Sequence, residues 1–449
     1  MDEELIIQEI EENTEEYIQF LRDLIQTESY NPPGNEKNVA LMIQQYLEEV
    51  DIKSEIFPFG DNRANLIATL HDDFKGKNLL FNGHMDVVPP GIEEEWKLPP
   101  LSATIKRKKI FGRGATDMKG GLAALVIALK ILKKLRIRLS GNLILNAVGD
   151  EETTGELGTK WCLDNKLKDI SVDLTLIGEP TNIQPLPHAI MLGERGRVLV
   201  KVVTNGISAH AAISPLGKNA IYMMSKIIEN LDKLDKYMPH VEPPIKMERL
   251  KKLVSASFVS ENIFNKILDD QPSLQAILDS LIKSTRVLTM IKGGIKDNVV
   301  PDMCEATIDF RLLAGQKVED VMNALSQLIR NDVGFDVRNE STGDPKDVFV
   351  YIEILSASEG SYWEDWENSK DLKLLYKLVS EIYQKKPFYF LYPPSSDAHY
   401  LRNTGFCPQT LMFGPGIAFT AHSTNEYIEI QDFLNAIKVY TLFAYNFLK

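Results

Sequence analysis

Apolar residues recur at three- and four-residue spacing from about residue 3 to 27, and this period predicts one amphipathic helix there. The segment NPPGNE then supplies proline and glycine punctuation before a second helical pattern, NVALMIQQYLEEV. Beyond it the rhythm alternates. Short β-branched and aliphatic runs at 65–70, 78–82, 141–148 and 172–177 predict strands. Between them a helix over 120–135 carries Leu122, Leu125, Val126, Leu129 and Leu132 at helical spacing. Strands alternating with helices predict an α/β unit, a mostly parallel sheet sandwiched by helices.

The pattern changes near Met191. RGRVLVKVVTNG reads as a strand, followed by a helix over 215–234, a polar helical stretch over 244–284, and strands in VLTMIKGG and CEATIDFRLL. The helix VEDVMNALSQLIRNDV and the strand VFVYIEIL complete the series. That order predicts a small two-layer α+β domain of ferredoxin-like type with a helical insertion. A helix beginning near Ser369 restarts the first pattern. The expected division is therefore 1–191 and 358–449 for the main domain, with 192–357 inserted into it.

Composition agrees with two domains, since 449 residues exceed the roughly 250–300 at which one core stops growing. A formal charge of −13 excludes nucleic acid or an anionic membrane as the main partner, because binding either needs a basic face. No apolar run reaches the roughly 18 residues of a membrane span. The acidic, helically periodic start differs from a signal peptide. Cys162, Cys304 and Cys407 are odd in number and scattered, which fits a reducing, cytoplasmic setting better than a disulfide framework.

The chemistry concentrates just after the predicted strands. His84 and Asp86 stand two apart in NGHMDVVPPG, Asp117 lies in GRGATDMKGG, Glu151 and Glu152 in GDEETTGE, Glu179 in IGEPT and His422 in AHSTNEY. Strand ends are where open α/β sheets bind ligands. Two divalent ions about 3.5–4 Å apart need one carboxylate spanning both and terminal ligands for each. Asp117, on a glycine-rich connector, is the best bridge; His84 and Glu179 complete one shell, and Glu152 with His422 the other. These nitrogen and oxygen donors suit zinc or cobalt and tolerate manganese. Adjacent glutamates cannot both point one way, so Glu151 is free to act as general base toward a water in the site. Asp86, placed by strand periodicity on the face of His84, would accept that ligand's second ring N–H. Taken singly these residues have ordinary readings: a core histidine, solvated charge, an N-cap at Asp117. Their joint occurrence at successive strand ends shifts the balance, and His71, His188, His240 and His399 lack such settings.

With these motifs assembled, the chain resembles the family of acetylornithine deacetylases, succinyl-diaminopimelate desuccinylases, aminoacylases and glutamate carboxypeptidases. The likeness rests on NPPG, GHMDVVP, GRGATDMKGG, GDEETTG, GEPT and the late histidine. It implies a zinc-peptidase-like catalytic domain, an inserted lid through which members dimerise, and further site residues. His210 in GISAHAAISP matches a lid histidine that reaches the partner's site and stabilises the oxyanion. Asn298 and Arg311 match positions that bind the substrate carboxylate, and Gly414 lies in a stretch near the substrate pocket. Where many deacylases read Gly-Gly-Thr-Asp-Ala-Arg, this chain has PPSSDAHYL, with His399 in the arginine position. The insertion around 235–285 is expected to lengthen the lid.

The reading is a cytoplasmic, homodimeric metallohydrolase with two divalent ions that cleaves an amide bond next to a free carboxylate. N-acyl amino acids are the first choice of substrate and short peptides, as in a dipeptidase or carboxypeptidase, the second. A non-catalytic binding protein on the same scaffold is the alternative of another class. A phosphoesterase is disfavoured, because the sequence offers one arginine, not a basic cluster, as its anion clamp.

Overall fold

The computed structural model describes residues 2–70, 76–258, 260–338 and 347–449; His71 lies outside them. The predicted N-terminal helix is two helices, Asp2–Glu12 and Thr14–Gln26. Asn13 Nδ2 donates to the Glu9 carbonyl and Thr14 Oγ1 to that of Ile10, and such back-bonding competes with a continuous helical ladder.

A nine-stranded sheet organises the larger unit. Its centre is parallel, as the alternating pattern implied: Asn142–Val148, Asn78–His84, Leu174–Ile177 and Thr410–Met412 run side by side. Antiparallel strands flank them, Ala64–Thr69 and Lys53–Pro58 on one side, Ala189–Glu194 on the other. The helix Lys119–Lys134 is buried on nearly every face, because it lies between this sheet and the helices Thr14–Gln26 and Ile430–Leu448. Its start needs glycine. A Cβ on Gly121 would sit 1.8 Å from the Gly178 carbonyl oxygen, so the helix closes directly onto the strand end that carries Glu179.

The smaller unit is a five-stranded sheet in the order Thr285–Gly293, Met303–Leu312, Gly196–Asn205, Phe349–Ser358, Val337–Arg338. Helices Ala220–Asn230 and Val318–Leu328 cover one face and share its core. The helix foreseen over 215–234 is shorter because the Asn219 side chain caps it, accepting from the N–H groups of Ile221 and Tyr222. A two-layer α+β unit inserted into an α/β body is thus the observed fold. The helical stretch departs from expectation. Helices Met247–Ser255, Glu261–Asp270 and Pro272–Leu281 bury Leu250, Phe264, Leu274 and Leu278 in a core shared with Phe388, Phe390 and Leu401 of the main body. They pack on that body and not on the smaller unit, which the insertion was expected to lengthen.

Candidate metal centre and substrate cavity

Four adjacent parallel strands deliver their C-terminal ends to one place. His84 ends its strand, Glu151 and Glu152 follow Val148, Glu179 follows Ile177 and Gly414 follows Met412. Asp117 arrives on the loop before the helix Lys119–Lys134, and His422 on the loop before the strand Tyr427–Glu429.

Asp117 faces both histidines, one oxygen to each. Its Oδ1 lies 3.2 Å from His84 Nε2 and its Oδ2 3.3 Å from His422 Nε2. Glu179 Oε1 stands 3.7 Å and Glu151 Oε2 3.8 Å from His84 Nε2, while Glu152 Oε2 stands 3.0 Å from His422 Nε2. Donors around a tetrahedral ion bound at 2.0–2.1 Å are roughly 3.3 Å apart, so these spacings are those of a ligand shell. Two groups, His84–Asp117–Glu152 and His84–Glu151–Glu179, bring one donor atom each within 4.8 Å of the others. Glu152 Oε1 is buried with no hydrogen-bond partner, a cost that a cation would remove. The residues therefore fit divalent ions.

Electrostatics point the same way. Burial, then the charges of Glu179, Asp397 and Glu152, push the Glu151 carboxyl well above its ordinary range. Burial and Asp117 do the same to Glu179. Hydrogen bonds to Asp117 and Glu152 raise His422 to about 11. Burial would raise Asp117 too, but the hydrogen bonds from His422 and His84 outweigh it and hold that carboxyl low. The pocket floor demands positive charge.

Asp86 contributes differently from its expected manner. The strand stops at His84, so alternation no longer governs Asp86. His84 Nδ1 lies 2.8 Å from the Asp86 backbone carbonyl and 3.6 Å from its carboxylate. The carbonyl thus takes the ring proton and leaves Nε2 facing Asp117. The Asp86 carboxylate accepts from Asn31 Nδ2 and the Glu152 N–H.

A cavity of about 580 Å³ opens over this floor. Its lining includes Arg197 and Arg311 from the smaller sheet and Arg195 from the link that leads into it. Arg197 and Arg311 pair across adjacent strands and share one carboxylate, Asp309, at 2.8 and 2.7 Å. Arg195 is 5% exposed and its Nε has no partner. The sequence reading named Arg311 alone. The signal for the others was Arg195-Gly196-Arg197 at the head of a strand whose register with Arg311 only the fold reveals. Tyr392 at the end of the strand Phe388–Tyr392 and Ser396, Asp397 and His399 of the divergent PPSSDAHYL segment also line the cavity. There burial lifts the Asp397 carboxyl to about 7.

Besides His84 and Asp86, which lie behind the lining, three expected residues stand apart from this cavity. His210 is exposed on the smaller unit, where it pairs with Val299. Asn298 is its neighbour, accepting the Ala211 N–H through its carbonyl. Gly414 packs beneath Glu179, where a Cβ would meet the Gly178 and Glu179 carbonyl oxygens at 2.3 and 2.5 Å.

The model of peptidase family M20/M25/M40 matches residues 80–446. A probable succinyl-diaminopimelate desuccinylase from Staphylococcus aureus (strain MSSA476) is 30% identical over 437 residues, 97% of this chain and 98% of that one. Among solved structures, an M20 family metallo-carboxypeptidase, Sso-CP2 from Sulfolobus solfataricus, aligns with a TM-score of 0.77 at 21% identity, covering 96% of this chain and 99% of that one. Human carnosine dipeptidase 1 aligns with a TM-score of 0.74 at 16% identity, covering 99% of each chain.

Proposed function

The chain belongs to peptidase family M20/M25/M40 and is a metal-dependent hydrolase of amide bonds; from that footing we propose an N-acyl-amino-acid deacylase whose acyl group carries its own carboxylate. The observation that carries this reading is a single cavity lined both by Asp117, Glu151, Glu152, Glu179 and His422 and by Arg195, Arg197 and Arg311. Three guanidiniums against one shared aspartate leave net positive charge facing the substrate, and planar guanidinium suits carboxylate recognition. The desuccinylase names of relatives about 25–30% identical support an acidic acyl group.

His84, Asp117 and Glu179 would hold one ion, and Asp117, Glu152 and His422 the other, zinc being the expected metal and cobalt the next. When bound, such ions polarise the scissile carbonyl and acidify water. Glu151 Oε2, close to His84 but on no other imidazole, takes the proton from the attacking water and returns it to the departing amine nitrogen. Its raised proton affinity suits that exchange. Arg311, aided by Arg197, orients the substrate carboxylate. His210 Nδ1 accepts the Ala212 N–H, so the proton of the neutral ring sits on Nε2, the donor an oxyanion needs. His210 and Asn298 would act from the lid of a second copy. Support for such a homodimer is the edge strand Thr285–Gly293, which exposes Val287, Met290 and Ile291 by 59%, 69% and 55%. Three buried free cysteines favour the cytoplasm.

Elemental analysis paired with a substrate panel tests the proposal. The expected result is two ions per chain and chelator-sensitive cleavage, with N-succinyl amino acids turned over faster than N-acetyl ones and dipeptides slowest. Preference for dipeptides would replace the deacylase reading with a dipeptidase. Absence of bound metal after reconstitution would end the ligand assignment.

A further inference from the structure

Arg113 and Glu426 form a buried ion pair, 2% and 0% exposed, beside the metal centre. Each belongs to the loop of one proposed ligand and grips the loop of the other. Glu426, four residues after His422, accepts the N–H groups of Thr116 and Asp117 on Oε1, at 2.8 and 3.1 Å. Its Oε2 accepts from Arg113 Nη1. Arg113, four residues before Asp117, donates to the carbonyls of Ser423 at 3.2 Å and His422 at 3.4 Å. The small sheet formed by Lys109–Phe111 and Tyr427–Glu429 frames this crossed clamp.

His422 needs such a clamp. Its backbone sits at φ +60°, a left-handed conformation that costs a non-glycine residue energy. Its side chain is 53% exposed, so burial alone does not hold the imidazole. Beyond its contacts with Asp117 and Glu152, the backbone bonds of its own loop fix its position. Because Glu426 anchors Asp117 through the same pair, the clamp sets the distance between a ligand on each side of a 305-residue sequence gap.

We infer that Arg113 and Glu426 are positioning residues that set His422 against Asp117 and so complete the shell of the second ion. The inference rests on the ligand assignment above. In one bland alternative the pair only stabilises the fold, and metal titration separates the two.

Metal-free full-length protein would be titrated with zinc in a calorimeter, alongside circular dichroism and thermal unfolding. Glu426→Gln leaves a buried guanidinium unpaired, which can itself unfold a protein. The double variant Arg113→Met, Glu426→Gln removes both charges and keeps the comparison possible. For the folded variant the expected outcome is a first binding step within about threefold of wild type and a second weakened about 10–100-fold, the usual cost of losing a group that orients a ligand. His422→Ala should lose the same second step. Two unchanged steps, or equal loss of both, would overturn the inference. Wild-type protein that takes up fewer than two ions would instead remove the ligand assignment beneath it.

Discussion

Glu151 and Glu152 are neighbours in the chain but answer to different histidines, 3.8 Å from His84 and 3.0 Å from His422 respectively. A substitution that keeps shape but removes basicity should therefore separate chemistry from metal binding. Glu151→Gln is expected to retain both ions and lose about 10²–10⁴-fold in kcat, the range attributed to a general base. Elemental analysis beside steady-state kinetics checks this, and a variant with wild-type kcat would refute the role. The structure gathers the proposed metal ligands as the sequence suggested, and His84, Glu151, Glu152 and Glu179 stood out there because each lies close to glycine or proline just after a predicted strand. Asp86 was half legible: it lies beside His84, but the strand ends two residues before it, and its backbone carbonyl, not its side chain, is the nearer partner. Arg195 and Arg197 flank Gly196 at the head of a strand, but that local signal does not give their role; cross-strand register alone brings Arg197 beside Arg311. With three arginines in the lining, a single anion clamp no longer distinguishes this site from a phosphoesterase; membership of peptidase family M20/M25/M40 does.

Among the elements, the parallel centre of the sheet and the helix Lys119–Lys134 were readable because continuous apolar runs and a clean helical period describe elements buried on both sides. The insertion shows the limit. An amphipathic helix announces that it buries a face, not which surface it meets. Leu278 lies in the core shared with Phe388 and Phe390, so Leu278→Ala should destabilise by about 2–5 kcal/mol. Thermal unfolding measures it, and a loss well under 1 kcal/mol would mean that these helices dock only loosely on the main body. The N-terminal split at Asn13 was hidden because the apolar period runs through it while side-chain back-bonding interrupts the backbone.

For the whole molecule, a net charge of −13 keeps copies apart unless apolar surface draws them together. The exposed edge strand offers such surface, and unpaired edges invite pairing. Ile291→Asp, on that edge, should shift sedimentation toward monomer and lower turnover in step, because His210 would no longer reach a neighbouring cavity. A monomeric wild type, or a monomeric variant with full activity, would refute the dimeric site. The path of the chain has one more consequence. It passes from body to lid after Glu194, returns between Leu234 and Ile245 to lay down the inserted helices, leaves again after Leu281 and comes home before Ser361. A flap hung from a single pair of strands can swing freely; one laced to its frame four times can only rock. Substrate exchange is then expected to proceed by small tilts of the smaller unit, and a variant that loosens one of the four crossings is expected to shorten the time products stay, which stopped-flow release kinetics would read.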